Sequence, residues 1–226
     1  MPAEILSLDL DWFNTANHDD LKSEVRHFFS SLKRVCKLPR SLDFVPEHQY
    51  LYPWSVRLLD QTGCSKTNVV NIDEHHDFYS LDQIEFDDDY EDVGCWNFFA
   101  FMAHKKIMGH YVWVTNEDSA EGTQYKRECL IEDIQKSNSL TVKKFMPNIK
   151  VVNSRKVFDI LDGRKFDGFM IIRSPVYTSN YRAVYHAVEN ALAKELPRTH
   201  VRRYKCRENF KEGRVHHRAK SLFWRI

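Results

Sequence analysis

The sequence lacks a cysteine framework. Its five cysteines, Cys36, Cys64, Cys95, Cys129 and Cys206, are scattered, and no two stand at C-x-x-C spacing. That excludes a disulfide scaffold and a zinc knuckle. No apolar run approaches the length of a membrane span, so no membrane partner is expected. The opening "MPAEILSLDLDWF" has no basic stretch ahead of an apolar one. It does not read as a signal peptide, and a reducing cytoplasm is the expected compartment. Internal repeats and low-complexity linkers are absent as well. Net charge is nearly so, at +1 over 226 residues. A hydrophobic content of 42% then suits one globular domain spanning 1–226 with a full core.

The near-zero net charge hides two uneven regions. Asp73 to Asp92 holds ten acidic residues and no Lys or Arg. Arg198 to Ile226, a basic extension, holds ten Lys or Arg against two acids, Glu208 and Glu212. Three uses suit that extension. It could fold back on the acidic middle or join copies of the chain in a homo-oligomer. It could hold an acidic peptide segment. Least favoured is nucleic acid, with Tyr204 and Trp224 stacking on bases.

Short apolar runs alternate with amphipathic stretches. "EILSLDL" (4–10), "LDFV" (42–45), "TNVVNI" (67–72), "YVWV" (111–114) and "FDGFMIIR" (166–173) read as buried strands. Leu21, Val25, Phe28, Leu32 and Val35 mark one face of a helix. Further helices are expected over 51–60, with Pro53 in the first turn, over 95–107 and over 180–196. Residues 120–150 read ambiguously, and "HVRRYK" adds a last strand. The alternation predicts an α/β fold, three layers α/β/α around a mainly parallel sheet. Such sheets bind ligands at the carboxyl ends of their strands. There the charged clusters fall: "DLD" after the first strand, "PEH" after the second, "DEHHD" after the third.

Asp73, His75 and Asp77 alternate, as do Asp9 and Asp11, so on extended chain each set points one way. Carboxylates converging on one spot repel, and burying them is costly without a counter-charge. A pair of divalent cations removes the problem. Carboxylates with some imidazole suit an ion such as Mn²⁺ rather than a thiolate-type zinc site. Each motif alone has a bland reading. A lone D-x-D is usually a turn, "DEHHD" an acid-rich helix cap, and His48 in "PEHQ" a structural histidine. Three strand ends with matching ligand types are more specific than any one.

These residues resemble a family. "VVNIDEHHDF" resembles the D-A-H-x-D segment of the ureohydrolases, the arginase and agmatinase group, with the match on Asp73, His75 and Asp77. "SLDLDWF" resembles their S-x-D-x-D segment at Asp9 and Asp11. "FVPEHQYLYPWSVRLL" resembles their G-G-D-H-S loop and following helix, with His48 on the ligand histidine. The chain departs from the family in order, since its S-x-D-x-D element comes first, as in a circular permutation. It also lacks the paired glycines before His48 and the D-P after Asp11, and it is shorter. These departures fit a divergent branch that includes the peptide arginases of ribosomal-peptide maturation.

The resemblance implies an arginase-like fold and a centre of two Mn²⁺ ions. Asp73 and Asp9 would bridge both ions. His48 and Asp77 would complete one site, His75 and Asp11 the other. A hydroxide bridging the ions would attack the guanidinium carbon of an arginine side chain in a precursor peptide, leaving ornithine and releasing urea. Asp77 would be the catalytic residue, holding that hydroxide and passing its proton to the leaving amine. Free arginine or agmatine is the alternative substrate, and a non-enzymatic module binding nucleic acid through the tail is another. Asn97 and Trp96 stand where the family has a substrate-contacting loop, or else in a buried helix. Glu47 would orient a ligand or bind the guanidinium. His76 points away from the ligands by alternation. Only His104 and His110 offer themselves, weakly, as a proton shuttle. The acidic run 85–92 would steer a cation inward or simply be a solvated loop.

Overall fold

A computed structural model of the chain describes residues 1–15, 20–79, 97–175 and 177–204. The acidic run 85–92, Trp96 and the tail from 205 lie outside them. Seven strands form one sheet: β1 (Ala3–Asp9), β2 (Ser41–Val45), β3 (Thr67–Ile72), β4 (Met108–Val114), β5 (Ile149–Val152), β6 (Gly168–Ile172) and β7 (His200–Arg203). Their order is β5-β4-β3-β1-β6-β2-β7. Every pairing is parallel, so the sheet is wholly rather than mainly parallel.

Parallel strands need crossovers, and among the described residues seven α-helices supply them. Helix α1 (Leu21–Val35), α6 (Val157–Leu161) and α7 (Tyr181–Glu195) cover one face. Helix α2 (Leu51–Thr62), α3 (Phe98–His104), α4 (Ala120–Lys136) and α5 (Leu140–Phe145) cover the other. The result is a three-layer α/β/α fold. Among the described residues no helix is long and apolar enough to cross a membrane.

Local chemistry explains the elements. Helix α1 buries Leu21, Val25, Phe28, Phe29 and Leu32, a stripe at helical spacing. Helix α2 takes Pro53 in its first turn and stops at Gly63, whose φ of 67° suits a residue without a Cβ. In the ambiguous stretch Ser119 caps α4 by accepting from the Gly122 N–H, and Ser139 caps α5 by accepting from that of Val142. The helix expected over 95–107 is shorter in its described part. It runs from Phe98 to His104, and the chain turns at Lys106 with φ 60°.

Alternation along the strands decides what reaches the rim. Leu6 and Leu8, Val70 and Ile72, and Phe169 and Ile171 face the α1/α7 layer. Ile5, Val69, Met170 and Ile172 face the α2/α3 layer. Ser7 and Asn71 share that second parity and are in register with each other. One step beyond the last apolar side chains, the same parity carries Asp9, Asp73 and Ser174 to the α2/α3 side of the carboxyl rim. The start of the basic extension belongs to the sheet. Strand β7 pairs with β2, and its Arg202 and Arg203 meet Asp43 and Glu189 rather than the acidic middle.

Candidate metal centre

The three charged motifs come together at that rim. Strand β1 is flanked by β3 and β6, so Asp9 stands between the ends of two neighbours. His48 reaches in from the short helical turn His48–Tyr50 after β2. Its Nδ1 lies 3.0 Å from Asp9 Oδ2 and 3.6 Å from Asp77 Oδ2, and its Nε2 lies 3.2 Å from Asp73 Oδ2. His75 Nδ1 lies 2.9 Å from Asp11 Oδ2. All six residues expected from the sequence therefore lie in one cluster. Donor atoms fall into two groups, Asp9–His48–Asp73 and Asp11–Asp73–His75, each within 4.8 Å and sharing Asp73. Both groups are of a kind that could hold a metal ion.

Local bonds set the carboxylates. Asp9 Oδ1 accepts from the Asp11 N–H at 2.9 Å, and Asp73 Oδ1 accepts from the His75 N–H at 2.8 Å. Asn71 donates to Asp73 Oδ2 and Trp113 Nε1 to the Asp73 carbonyl. Ser174 donates to Asp9 Oδ2. The Phe98 ring stacks on His48 at 5.1 Å and 12°. These contacts leave gaps that suit a cation: Asp77 Oδ2 is buried and makes no hydrogen bond, and buried His48 Nε2, 3.2 Å from Asp73 Oδ2, is not aligned for one. Unpartnered buried donor atoms are rare unless something else satisfies them.

Electrostatics point the same way. Asp9 and Asp77 are raised well above the ordinary carboxylate range, by burial first and neighbouring carboxylates second. Burial and Asp73 push Asp11 up to about 6. Burial pushes Asp73 up as well, but the imidazoles of His48 and His75 outweigh it and hold this carboxyl below its usual value. His75 is raised by its bond to Asp11. Four carboxylates share one dry site, and without a cation they cannot all be ionised. A divalent ion would remove that conflict, and the oxygen-rich, imidazole-containing donor set fits one.

The turn that carries His75 and Asp77 is pinned between them. The Phe78 N–H donates to His76 Nδ1, so the ring's proton sits on Nε2, which donates to Asp133 Oδ2 at 3.2 Å. Burial lowers His76, in keeping with a neutral ring. It lies off the ligand cluster as expected, but by a turn rather than by strand alternation, since β3 ends at Ile72 and the chain bends from Asp73 to Asp77. Asp77 has φ 52°, a left-handed conformation that a non-glycine residue holds at a cost.

Other expected residues divide. Glu47 is buried beside His48, its Oε1 lacks a partner, and burial raises its carboxyl to about 7. Asn97 is buried next to Phe98, the ring that stacks on His48. The two shuttle candidates are corrected. His110 lies near the start of β4, beside Asn68 at the amino end of the sheet, and His104 turns to Ser139 at the start of α5. Neither reaches the cluster, because His110 and the end of α3 that carries His104 both lie toward the amino end of the sheet. A cleft of about 410 Å³ also lies at the amino end, lined by Glu4, Asn68, His110 and Arg164, and contains none of the cluster.

Sequence reasoning missed Ser174 and Asn71. Asn71 carried a signal, since it alternates with Asp73 on one strand face. Ser174 carried none, because its nearness to Asp9 depends on β6 pairing with β1 across more than 160 positions of chain.

No family model matches the chain, and neither characterised proteins nor solved structures give a match. The resemblance to ureohydrolases thus rests on the three motifs.

Proposed function

We propose that the chain is a manganese-dependent hydrolase of guanidinium groups that converts arginine side chains of a precursor peptide to ornithine and releases urea. The observation that carries this reading is the convergence of three aspartates and two histidines from three strand ends, in two groups that share Asp73, with Asp77 3.6 Å from His48 beside them. Two Mn²⁺ ions held there would supply hydroxide near neutral pH and Lewis acidity toward the guanidinium. Asp9, His48, Asp73 and Asp77 would hold one ion, with Asp11, His75, Asp73 and Asp9 around the other. The rest is done by the chain. Asn71, Ser174 and the backbone N–H groups of Asp11 and His75 orient the carboxylates before substrate arrives. Asp77 Oδ2, buried and without a partner, can hold a proton and deliver it to the departing amine. Glu47 offers a buried carboxylate beside His48 for a cation.

Water adds to the guanidinium carbon, the bond to the side-chain nitrogen breaks, and that nitrogen leaves as the ornithine ammonium. The test is mass spectrometry of arginine-containing precursor peptides incubated with the protein and Mn²⁺, with free arginine and agmatine alongside. Loss of CH₂N₂ from a peptide arginine, with urea released, is the expected result. Turnover of the free amines alone would replace the peptide by a small substrate. No turnover of any guanidinium by metal-loaded protein would overturn the reading.

A further inference from the structure

The centre is closed on most sides and open on one. Side chains of Asp9, Asp11, His48, Asp73 and Asp77 are 6% exposed or less, whereas that of His75 is 35% exposed. Among the described residues, anything arriving from solvent meets His75 first. What surrounds it there is built. The Tyr177 ring stands 5.9 Å from the His75 ring at 61°, and Tyr177 is 48% exposed. The Glu74 carboxylate is adjacent in the chain and partly buried.

A clamp holds both. Asn14 Nδ2 donates to Glu74 Oε2 at 2.8 Å and to the Tyr177 carbonyl at 3.1 Å. Its Oδ1 accepts from the Ser179 N–H and Oγ at 2.7 and 2.8 Å. Both donors and the acceptor of this one amide are used, and they join the loops after β1, β3 and β6. From a fourth side Lys126 Nζ donates to the Glu74 carbonyl at 3.2 Å. The backbone that carries Tyr177 is thus tied down, and its ring lies half open to water against the one exposed member of the cluster. A planar cation passing to the centre would find a ring face and a carboxylate in its path. A guanidinium stacks on such a ring, and the cation–π contact strengthens as the pair is desolvated.

We propose that substrate reaches the centre over His75 and that Tyr177 is the specificity-determining residue there, its ring stacking on the guanidinium plane while Glu74 supplies the counter-charge. The substrate class rests on the guanidinium reading above; the entrance itself rests on exposure and the clamp.

The test uses the full chain loaded with Mn²⁺, as wild type, Y177A, Y177F and E74Q, with an arginine-containing peptide. Manganese content and affinity stay as in wild type for both Tyr177 variants. Y177A raises KM by roughly three- to thirty-fold, the span of a cation–π contact, with kcat within about twofold. Y177F keeps the ring and restores KM. E74Q raises KM several-fold at low salt and less at high salt. An unchanged KM in Y177A overturns the inference and leaves the guanidinium reading standing. A fall in kcat and manganese content together in Y177A would make Tyr177 a structural residue and also overturn it. Should wild type turn over no guanidinium, the proposed function fails. The entrance is then read from equilibrium binding of the same peptide. Weaker binding by Y177A, rescued in Y177F, upholds it, and equal binding overturns it.

Discussion

Asp73 touches both ligand groups, with Oδ2 beside His48 and Oδ1 accepting from the His75 N–H. Asp73→Asn keeps the shape and removes the shared charge. Manganese affinity should fall by more than the roughly 10- to 100-fold that loss of an outer partner costs, with the far-ultraviolet dichroism unchanged. Ser174 is such an outer partner, acting through Asp9. Ser174→Ala should weaken manganese binding by about 10- to 100-fold in an equilibrium titration. An unaltered affinity would make the Ser174 bond incidental. The six ligand candidates were legible because strand ends and the ligand types there are written in the chain itself. The extended alternation expected of them was not found, since β1 ends at Asp9, β3 ends at Ile72, and turns carry Asp11, His75 and Asp77 inward. Ser174 was not, since nothing in "IIRSP" says which strand lies beside it.

At the scale of elements, α2 lies hard against β6. A Cβ at Gly168 would meet the Trp54 ring within 2.9 Å, and Trp54 is not free to move, for its Nε1 donates to the buried Asp43 at 2.8 Å. Gly168→Ala should therefore destabilise the chain by about 1–3 kcal/mol, seen as a lower midpoint in urea. Strands β1, β2, β3, β4 and β6 and helices α1, α2 and α7 were legible from periodicity because each buries a strong apolar pattern. Helix α4 was not, because only Leu130 and Ile134 are buried over 17 residues. Strand β5 was missed for a similar reason. It is a sheet edge, and only Val152 of its four residues is buried.

For the whole molecule, the parallel sheet follows from alternating strands and helices, and it brings the three motifs to one rim. The order of strands across the sheet was not legible, because pairing between distant segments leaves little local trace. The assembled cluster makes stability depend on metal and pH together. Asp9, Asp11 and Asp77 have folded-state values above the ordinary one, so the metal-free fold binds extra protons there. Their contribution is complete below the ordinary carboxylate value near 3.8 and is lost as pH rises through about 6 and beyond. Asp73 acts oppositely, and its window lies below that ordinary value. A bound cation replaces those protons, so its stabilisation grows with pH. The difference in Tm between manganese-loaded and chelated protein should widen from pH 5 to pH 8. At a hundred times Kd the ion adds about 2.7 kcal/mol. A gap that narrows with rising pH would contradict the assignment.

The most direct measurement is the manganese content of the full chain after equilibration with Mn²⁺ and removal of free ion, for wild type and Asp73→Asn side by side. The account predicts two ions per wild-type chain and loss of both in the variant, because both groups share that carboxylate. A wild-type chain that retains no manganese, or a variant that retains as much, would contradict it.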